Sequence, residues 1–314
     1  MISVYTGVNS TVRDMNSLAG TLALGLVVAI SVPTLAGDQA KTTPAPPTVV
    51  RYGSNAAVGR TFTHDGVKLY YEVYGTGDPL LLVHGNGGSI SDLAAQIAHF
   101  RTRYRVIAMD SRDQGKSADT PDALTYEKMT DDLAALLDHL KTGPVNVFGW
   151  SDGGIEALLL GIRHPAKVKK IAAMAANLNP TDRAIYPEVL GLVKTMLDGV
   201  PAAARNTPEG KREIKVTGMM LVEPNIDAKA LEAIKAPTLV LAGDHDLIRD
   251  EHTLDIFHHI PNGQLAILPN ATHMVPFDDA AQFNAVLERF FRTPFVKKDR
   301  IADTMKSLEK LRSR

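Results

Sequence analysis

No cysteine occurs in the 314 residues. That excludes disulfides, thiolate metal sites and a cysteine nucleophile, and leaves the compartment to be read from other features. An excess of charge of one sign is missing too, because 34 basic residues meet 35 acidic ones for a formal net charge of −1. Without a sustained Lys/Arg block there is no electrostatic footprint for nucleic acid, and none is expected as a partner. A Gly-x-x-x-x-Gly-Lys-Ser phosphate loop is also lacking, which removes that route to nucleotide chemistry. What is present is a chain 45% hydrophobic and 22% charged, enough apolar material for one large α/β domain with an insertion.

The first residues have the order of a secretory signal. Arg13 precedes an uncharged run from Ser17 to Ala36, in which Leu18 to Val32 is the apolar core, Pro33 breaks it, and Thr34 and Ala36 suit cleavage after Ala36. Residues 1–36 are expected to be a signal peptide, with Met15 an alternative start, and the protein to be exported to the periplasm or beyond. The rival is an uncleaved anchor, since a spanning helix needs about 20 apolar residues; that segment is the only membrane contact expected. Residues 37–57, with Thr42-Thr43-Pro44-Ala45-Pro46-Pro47, are expected to form a flexible linker. The folded domain is expected over 58–292, followed by a charged tail or helix over 293–314 whose Ile301, Met305, Leu308 and Leu311 share one helical face.

Within the domain, Thr61–His64 and Val67–Tyr74 flank an Asp65-Gly66 turn and predict an antiparallel edge hairpin, with His64 in the solvated turn. Short apolar runs at Pro79–Val83, Tyr104–Met109, Val145–Phe148, Val168–Ala175 and Pro237–Ala242 read as buried strands, and helical patterns between them imply a mainly parallel, doubly wound sheet. That rhythm stops between Asn179 and Ala236. Helices near Tyr186–Leu197 and Glu209–Val222 predict a small helical cap at about 179–235 over the site. Its charges balance, so they announce no substrate charge.

The chemistry centres on Gly149-Trp150-Ser151-Asp152-Gly153-Gly154, a Gly-x-Ser-x-Gly motif between a strand and a helix. A serine on so sharp a turn projects its hydroxyl above the sheet edge, near helix N-terminal amides. The strand at Pro79–Val83 ends in His84-Gly85-Asn86-Gly87-Gly88, where an inward main-chain N–H can serve as an oxyanion donor; Asn86 is the first candidate and Gly87 the next. His84 reads as orienting that loop, with a catalytic-base role as the alternative. Asp110-Ser111-Arg112-Asp113 reads as a charge-paired loop and not as a metal site. Further on, Gly243-Asp244-His245-Asp246 and His273 also stand at strand ends, giving the order Ser151, Asp246, His273. No metal or cofactor is called for. In the cap, Tyr186, Leu190, Val193, Met196, Met219, Met220 and Leu221 are candidates to line an apolar acyl pocket, and Trp150, Met196 and Met219 are the candidate substrate contacts.

These five ordered motifs, with Gly115-Lys116-Ser117, resemble the α/β-hydrolase fold superfamily over about residues 60–292, and the elbow is similar to that of the valacyclovir hydrolase-like esterases. One departure is Asp113-Gln114, where relatives commonly carry Gly-His. The resemblance implies an eight-stranded sheet and a serine hydrolase working through an acyl-enzyme. In it Ser151 is the nucleophile, His273 the base, Asp246 the acid that holds it in preference to Asp244, and the amides of Asp152 and Asn86 bind the oxyanion. A small-molecule carboxylic ester is the expected substrate. Amide hydrolysis, cofactor-free perhydrolysis and ligand binding without turnover remain as alternatives. An acidic pocket in the valacyclovir hydrolase-like proteins recognises an amino group, which makes an aminoacyl ester a further candidate; Asp152 is otherwise accounted for by the helix dipole.

Overall fold

The alternation of Leu80 and Leu82 with Leu81 and Val83 decides the layering, because successive strand side chains point to opposite faces. Leu80 and Leu82 enter one apolar cluster and Leu81 and Val83 another, so the strand is buried on both sides. The computed structural model describes residues 50–313, and the signal segment and the linker as far as residue 49 lie outside the described residues. One sheet contains β1 (Arg60–His64), β2 (Val67–Tyr74), β3 (Asp78–Val83), β4 (Tyr104–Met109), β5 (Val145–Trp150), β6 (Val168–Met174), β7 (Thr238–His245) and β8 (Gly263–Thr272). Their spatial order is β1-β2-β4-β3-β5-β6-β7-β8, with the β1/β2 and β2/β4 pairs antiparallel and the rest parallel. This is the expected mostly parallel, doubly wound sheet with an antiparallel edge hairpin.

The helices are α1 (Ala94–Phe100), α2 (Tyr126–His139), α3 (Asp152–Arg163), α4 (Pro187–Gly199), α5 (Pro208–Met219), α6 (Asp250–His259), α7 (Val275–Asp278), α8 (Ala280–Arg292) and α9 (Arg300–Arg312). Leu133, Leu136 and Leu137 of α2, Leu158 of α3 and Ile256 of α6 fill one face of the sheet. Phe100 of α1 and Phe283, Leu287 and Phe290 of α8 fill the other. The inserted cap is α4 and α5. Both begin with proline in the first turn, where its missing N–H costs nothing, and the Thr207 hydroxyl caps α5 by accepting from Gly210 N at 3.1 Å.

Three expectations are corrected by long-range contacts. The folded domain takes in part of the expected linker: Gly53 and Asn55 N–H groups donate to Glu72 at 2.8 and 2.9 Å, and Tyr52 packs edge-on against Tyr74. His64 is not simply solvated, because its Nδ1 lies 2.8 Å from Asp132 Oδ1. The loop after β4 finds its charge partners elsewhere. Arg112 donates from two nitrogens to Asp132 of α2, at 2.6 Å each, while Asp110 accepts Ile90 and Lys116 N–H groups. At the C-terminus α9 forms, with Ile301, Met305, Leu308 and Leu311 exposed.

Glu72 is fully buried and is held by donors, accepting from Gly53, Asn55 and the hydroxyls of Tyr70 and Tyr74. Hydrogen bonds to a charged group are worth more than neutral ones, and each donor left behind by its removal keeps its desolvation cost. Glu72→Ala is therefore expected to lower the unfolding free energy in urea by about 3 kcal/mol, and Glu72→Gln by less.

Candidate active site

Ser151 occupies the turn between β5 and α3 with φ 57° and ψ −120°. A non-glycine residue at positive φ is strained, and such strain persists only where the surroundings over-determine it. Here crowding does so. A Cβ on Gly149 would overlap the Gly153 carbonyl, and one on Gly153 would overlap the Val83 carbonyl, so glycine at both positions lets β3, β5 and α3 approach. Ser151 N–H also donates to Met174 O of β6 at 2.9 Å.

The structure brings Ser151, His273 and Asp246 together. His273 Nδ1 is 2.7 Å from Asp246 Oδ1, and Nε2 is 3.0 Å from Ser151 Oγ. An ionised carboxylate only accepts, so Nδ1 carries the proton and Nε2 is left to accept from the serine hydroxyl. Asp246 is held as an acceptor by N–H groups of Gly243, Leu247 and Ile248. Asp244 braces the neighbouring loop. It accepts from Asn270 and Ala271 N–H groups of β8 at 2.9 Å each, and its contact with His245, then those backbone bonds, hold its carboxyl below the usual range.

His84 orients the loop after β3: Ser111 N–H donates to its Nε2 at 3.0 Å, which makes Nδ1 the donor to Gly85 O at 2.8 Å. That loop stands over the serine, since a Cβ on Gly85 would lie 3.2 Å from Ser151 Cβ. The Asn86 side chain reaches sideways, donating at 2.9 Å both to Asp152 Oδ2 and to the Val216 carbonyl of α5. The N–H of Asp152 opens α3, where no intrahelical acceptor exists.

A cleft of about 80 Å³ opens at Ser151 and His273. Ile185, Val189, Leu190, Val193, Met220 and Ile248 make most of it apolar, while Tyr126, Asp152 and Glu223 bring polar groups to its wall. The expected substrate contacts are not among the lining residues. Trp150 turns away: its Nε1–H donates to the His273 carbonyl at 2.8 Å, and its ring packs edge-on against Phe277. Met219 is buried in the core and it is Met220 that reaches the cleft, a shift of one helical position. Met196 is half exposed, because Val189, Leu190 and Val193 carry the inward side of α4. Leu247 and Ile248, which follow Asp246 at the strand end, were within reach of the sequence argument; Tyr126 and Glu223 carried no such signal.

Two acids lie behind the serine on α3. Burial pushes the Asp152 carboxyl up, against hydrogen bonds from Asn86 and Tyr126. Glu156, one turn on, is fully enclosed with both oxygens lacking a partner among the described residues. Burial, then the charges of Asp152 and Asp132, push it well above the carboxylate range. Its polarity within the apolar run Ile155–Leu160 was the available signal.

A model of the "alpha/beta hydrolase fold" family matches residues 78–213. The human protein named serine hydrolase BPHL is 30% identical over 271 residues, covering 78% of this chain and 91% of the relative. The chain belongs to the α/β-hydrolase fold family. Among solved structures, this α/β hydrolase is similar to MGS-M2, an α/β hydrolase enzyme from a Medee basin deep-sea metagenome library, with a TM-score of 0.67 and 20% identity over 76% of this chain and 100% of that one. It is also similar to a thermophilic esterase from Thermogutta terrifontis, with a TM-score of 0.59 and 26% identity over 75% and 97% of the two chains. As its relatives are, this α/β hydrolase is an enzyme of hydrolysis.

Because the Glu156 pKa is raised by folding, the native state holds more protons than the unfolded chain above the ordinary carboxyl range, so its contribution favours folding least at high pH. Glu156→Gln is expected to gain stability relative to the parent as pH rises from 5 to 9, by at most about 1.4 kcal/mol per pH unit, read from urea midpoints across that range.

Proposed function

We propose that this α/β hydrolase cleaves small to medium carboxylic esters through an acyl-enzyme formed on Ser151. The observation that carries this reading is the position of His273, within hydrogen-bond distance of Ser151 Oγ on one side and Asp246 on the other. As Oγ attacks the ester carbon, its proton passes to His273 Nε2, and Asp246 stabilises the imidazolium. The N–H groups of Asp152 and Asn86 take the developing oxyanion. The proton on Nε2 then goes to the leaving alcohol, and a water activated by the same nitrogen releases the acid. The apolar cleft receives the acyl group, and its small volume favours a short one. The signal-like pattern from Arg13 to Ala36 supports export of the enzyme.

A second reading narrows the substrate. Asp152 and Glu223 both reach the wall of the cleft, and two acids there suit an acyl group carrying an amine. Glu223 itself is pushed up, by burial first and then by Glu127. A bound ammonium would draw either carboxyl toward its charged form.

On protein lacking residues 1–36, a p-nitrophenyl ester series is expected to show turnover with an optimum at short acyl chains, together with fluorophosphonate labelling. Ser151→Ala should abolish both, and Asp246→Asn should lower kcat by roughly 10⁴. Absent turnover and labelling in the parent protein would defeat the hydrolase reading. The amine reading requires a free aminoacyl ester to be cleaved faster than its N-acetylated form, with the difference lost in Asp152→Asn; equal rates would remove it.

A further inference from the structure

The chain leaves the folded body at a fixed point. Lys170 Nζ of β6 donates to the carbonyls of Phe290, Phe291 and Thr293 at 2.8, 2.9 and 2.6 Å, which closes the C-terminal end of α8. Residues 294–299 then run without regular structure into α9. The Asp299 carboxylate caps that helix, accepting from Ile301 and Ala302 N–H groups at 3.0 and 2.7 Å, and Asp303 accepts from Asp299 N–H at 2.9 Å. Both acids are thereby accounted for by the start of the helix. No residue of α9 is buried. Ile301, Met305, Leu308 and Leu311 form one apolar stripe at helical spacing, each at least 43% exposed. A helix of 13 residues that buries no face is marginal in water, so the stripe lacks the surface that would hold it.

Charge narrows what that surface is. From Lys297 to Arg314 seven basic residues meet three acidic ones, a formal net charge of +4, and the rest of the chain carries −5. Arg292, at the end of α8, pairs with Glu288, whereas Lys297, Lys298, Arg300, Lys306, Lys310 and Arg312 have no ion-pair partner among the described residues. Lys310 and Arg312 lie in the last turn and suit the negative end of the helix dipole. Lys297, Lys298 and Arg300 stand at the positive end, where the dipole opposes them, so helix stability does not account for them.

Stripe and cations together select the occupant. A second copy pairing helix to helix would cover the stripe but set one basic segment against another. A nucleic acid would take up the cations and leave the stripe in water. An anionic bilayer meets both, with the stripe at the acyl boundary and the cations among the headgroups. Among the described residues no helix is long and apolar enough to cross a membrane, so α9 would lie on the surface and not span it. We propose that α9 docks this enzyme on an anionic lipid surface. This is a membrane contact additional to the one expected at residues 1–36, and it uses none of the residues that line the Ser151 cleft.

The test is co-sedimentation with phosphatidylcholine vesicles containing about 30% phosphatidylglycerol. It is made on protein lacking residues 1–36, which keeps every described residue and removes the apolar run from Leu18 to Val32, so that binding reports α9. This protein is expected to partition onto the anionic vesicles about tenfold better than onto phosphatidylcholine alone, and to be released by about 0.5 M NaCl. Met305→Ser with Leu308→Ser should weaken the partition about tenfold, and Lys306→Gln with Lys310→Gln several-fold, each at an unchanged urea midpoint because α9 buries nothing in the core. No partition onto the anionic vesicles, or equal partition onto both kinds, would overturn the proposal. Partition that the serine pair leaves unchanged would also overturn it, making the segment a tail held by charge alone. A dimer in sedimentation velocity that the serine pair dissolves, in protein that does not bind vesicles, would overturn it in favour of a second copy on the stripe.

Discussion

The crossing of strand and helix at Ser151 is the constraint on which the rest of the site depends. Gly149 and Gly153 are where three pieces of backbone meet, and neither position has room for a single carbon more. That closeness fixes Ser151 at positive φ and aims its hydroxyl at the edge of the parallel strands. The same edge carries Asp246 after β7 and His273 after β8, because in a doubly wound sheet all parallel strands end on one side. Three residues scattered over more than a hundred positions thus become neighbours through strand direction. Asp244 adds the local refinement: by gripping Asn270 and Ala271 it ties the ends of β7 and β8, just before Asp246 and His273.

Buried acids in this protein follow two different rules. Glu72 and Asp246 each accept several N–H or O–H donors inside the fold, so protein donors stand in place of water around each carboxylate. Glu156 has no such shell, and a carboxyl without donors is best kept protonated. Asp110 and Asp152 lie between the two regimes: burial pushes each carboxyl up, against donors from Ile90 and Lys116 in the first and from Asn86 and Tyr126 in the second. Of these acids Asp152 is the one that also lines the cleft at Ser151, so burial and donors are balanced at the wall a substrate meets.

Features carried by adjacent residues were legible in the sequence. The elbow, the edge hairpin, the buried strands and the order Ser151, Asp246, His273 all rest on local patterns or on strand order, and the sheet reproduces them. Features set by distant pairing were not. Nothing near Arg112 says that its partner is Asp132 on a helix, and nothing near Gly53 says that it caps an acid on β2. The lining of the cleft fell between these cases. The apolar stripe of the cap included Leu190, Val193 and Met220, which do line the cleft, but the contacts chosen from it, Met196 and Met219, do not. Periodicity gives a stripe about a hundred degrees wide, whereas a cleft is lined by its edge, so the side of the stripe that faces substrate depends on how the helix is rolled onto the core.

That roll is itself tied to the chemistry. The cap helix α5 is held to the body of the enzyme by Lys215 on Asp113, Arg212 beside Asp119, and the Val216 carbonyl on Asn86. The last of these lies on Asn86, whose side chain also holds Asp152. A displacement of α5 therefore acts on the loop after β3 and on the elbow helix through a single amide. Such a bond couples the position of the inserted helix to the backbone around Ser151, and not only to the shape of the cleft.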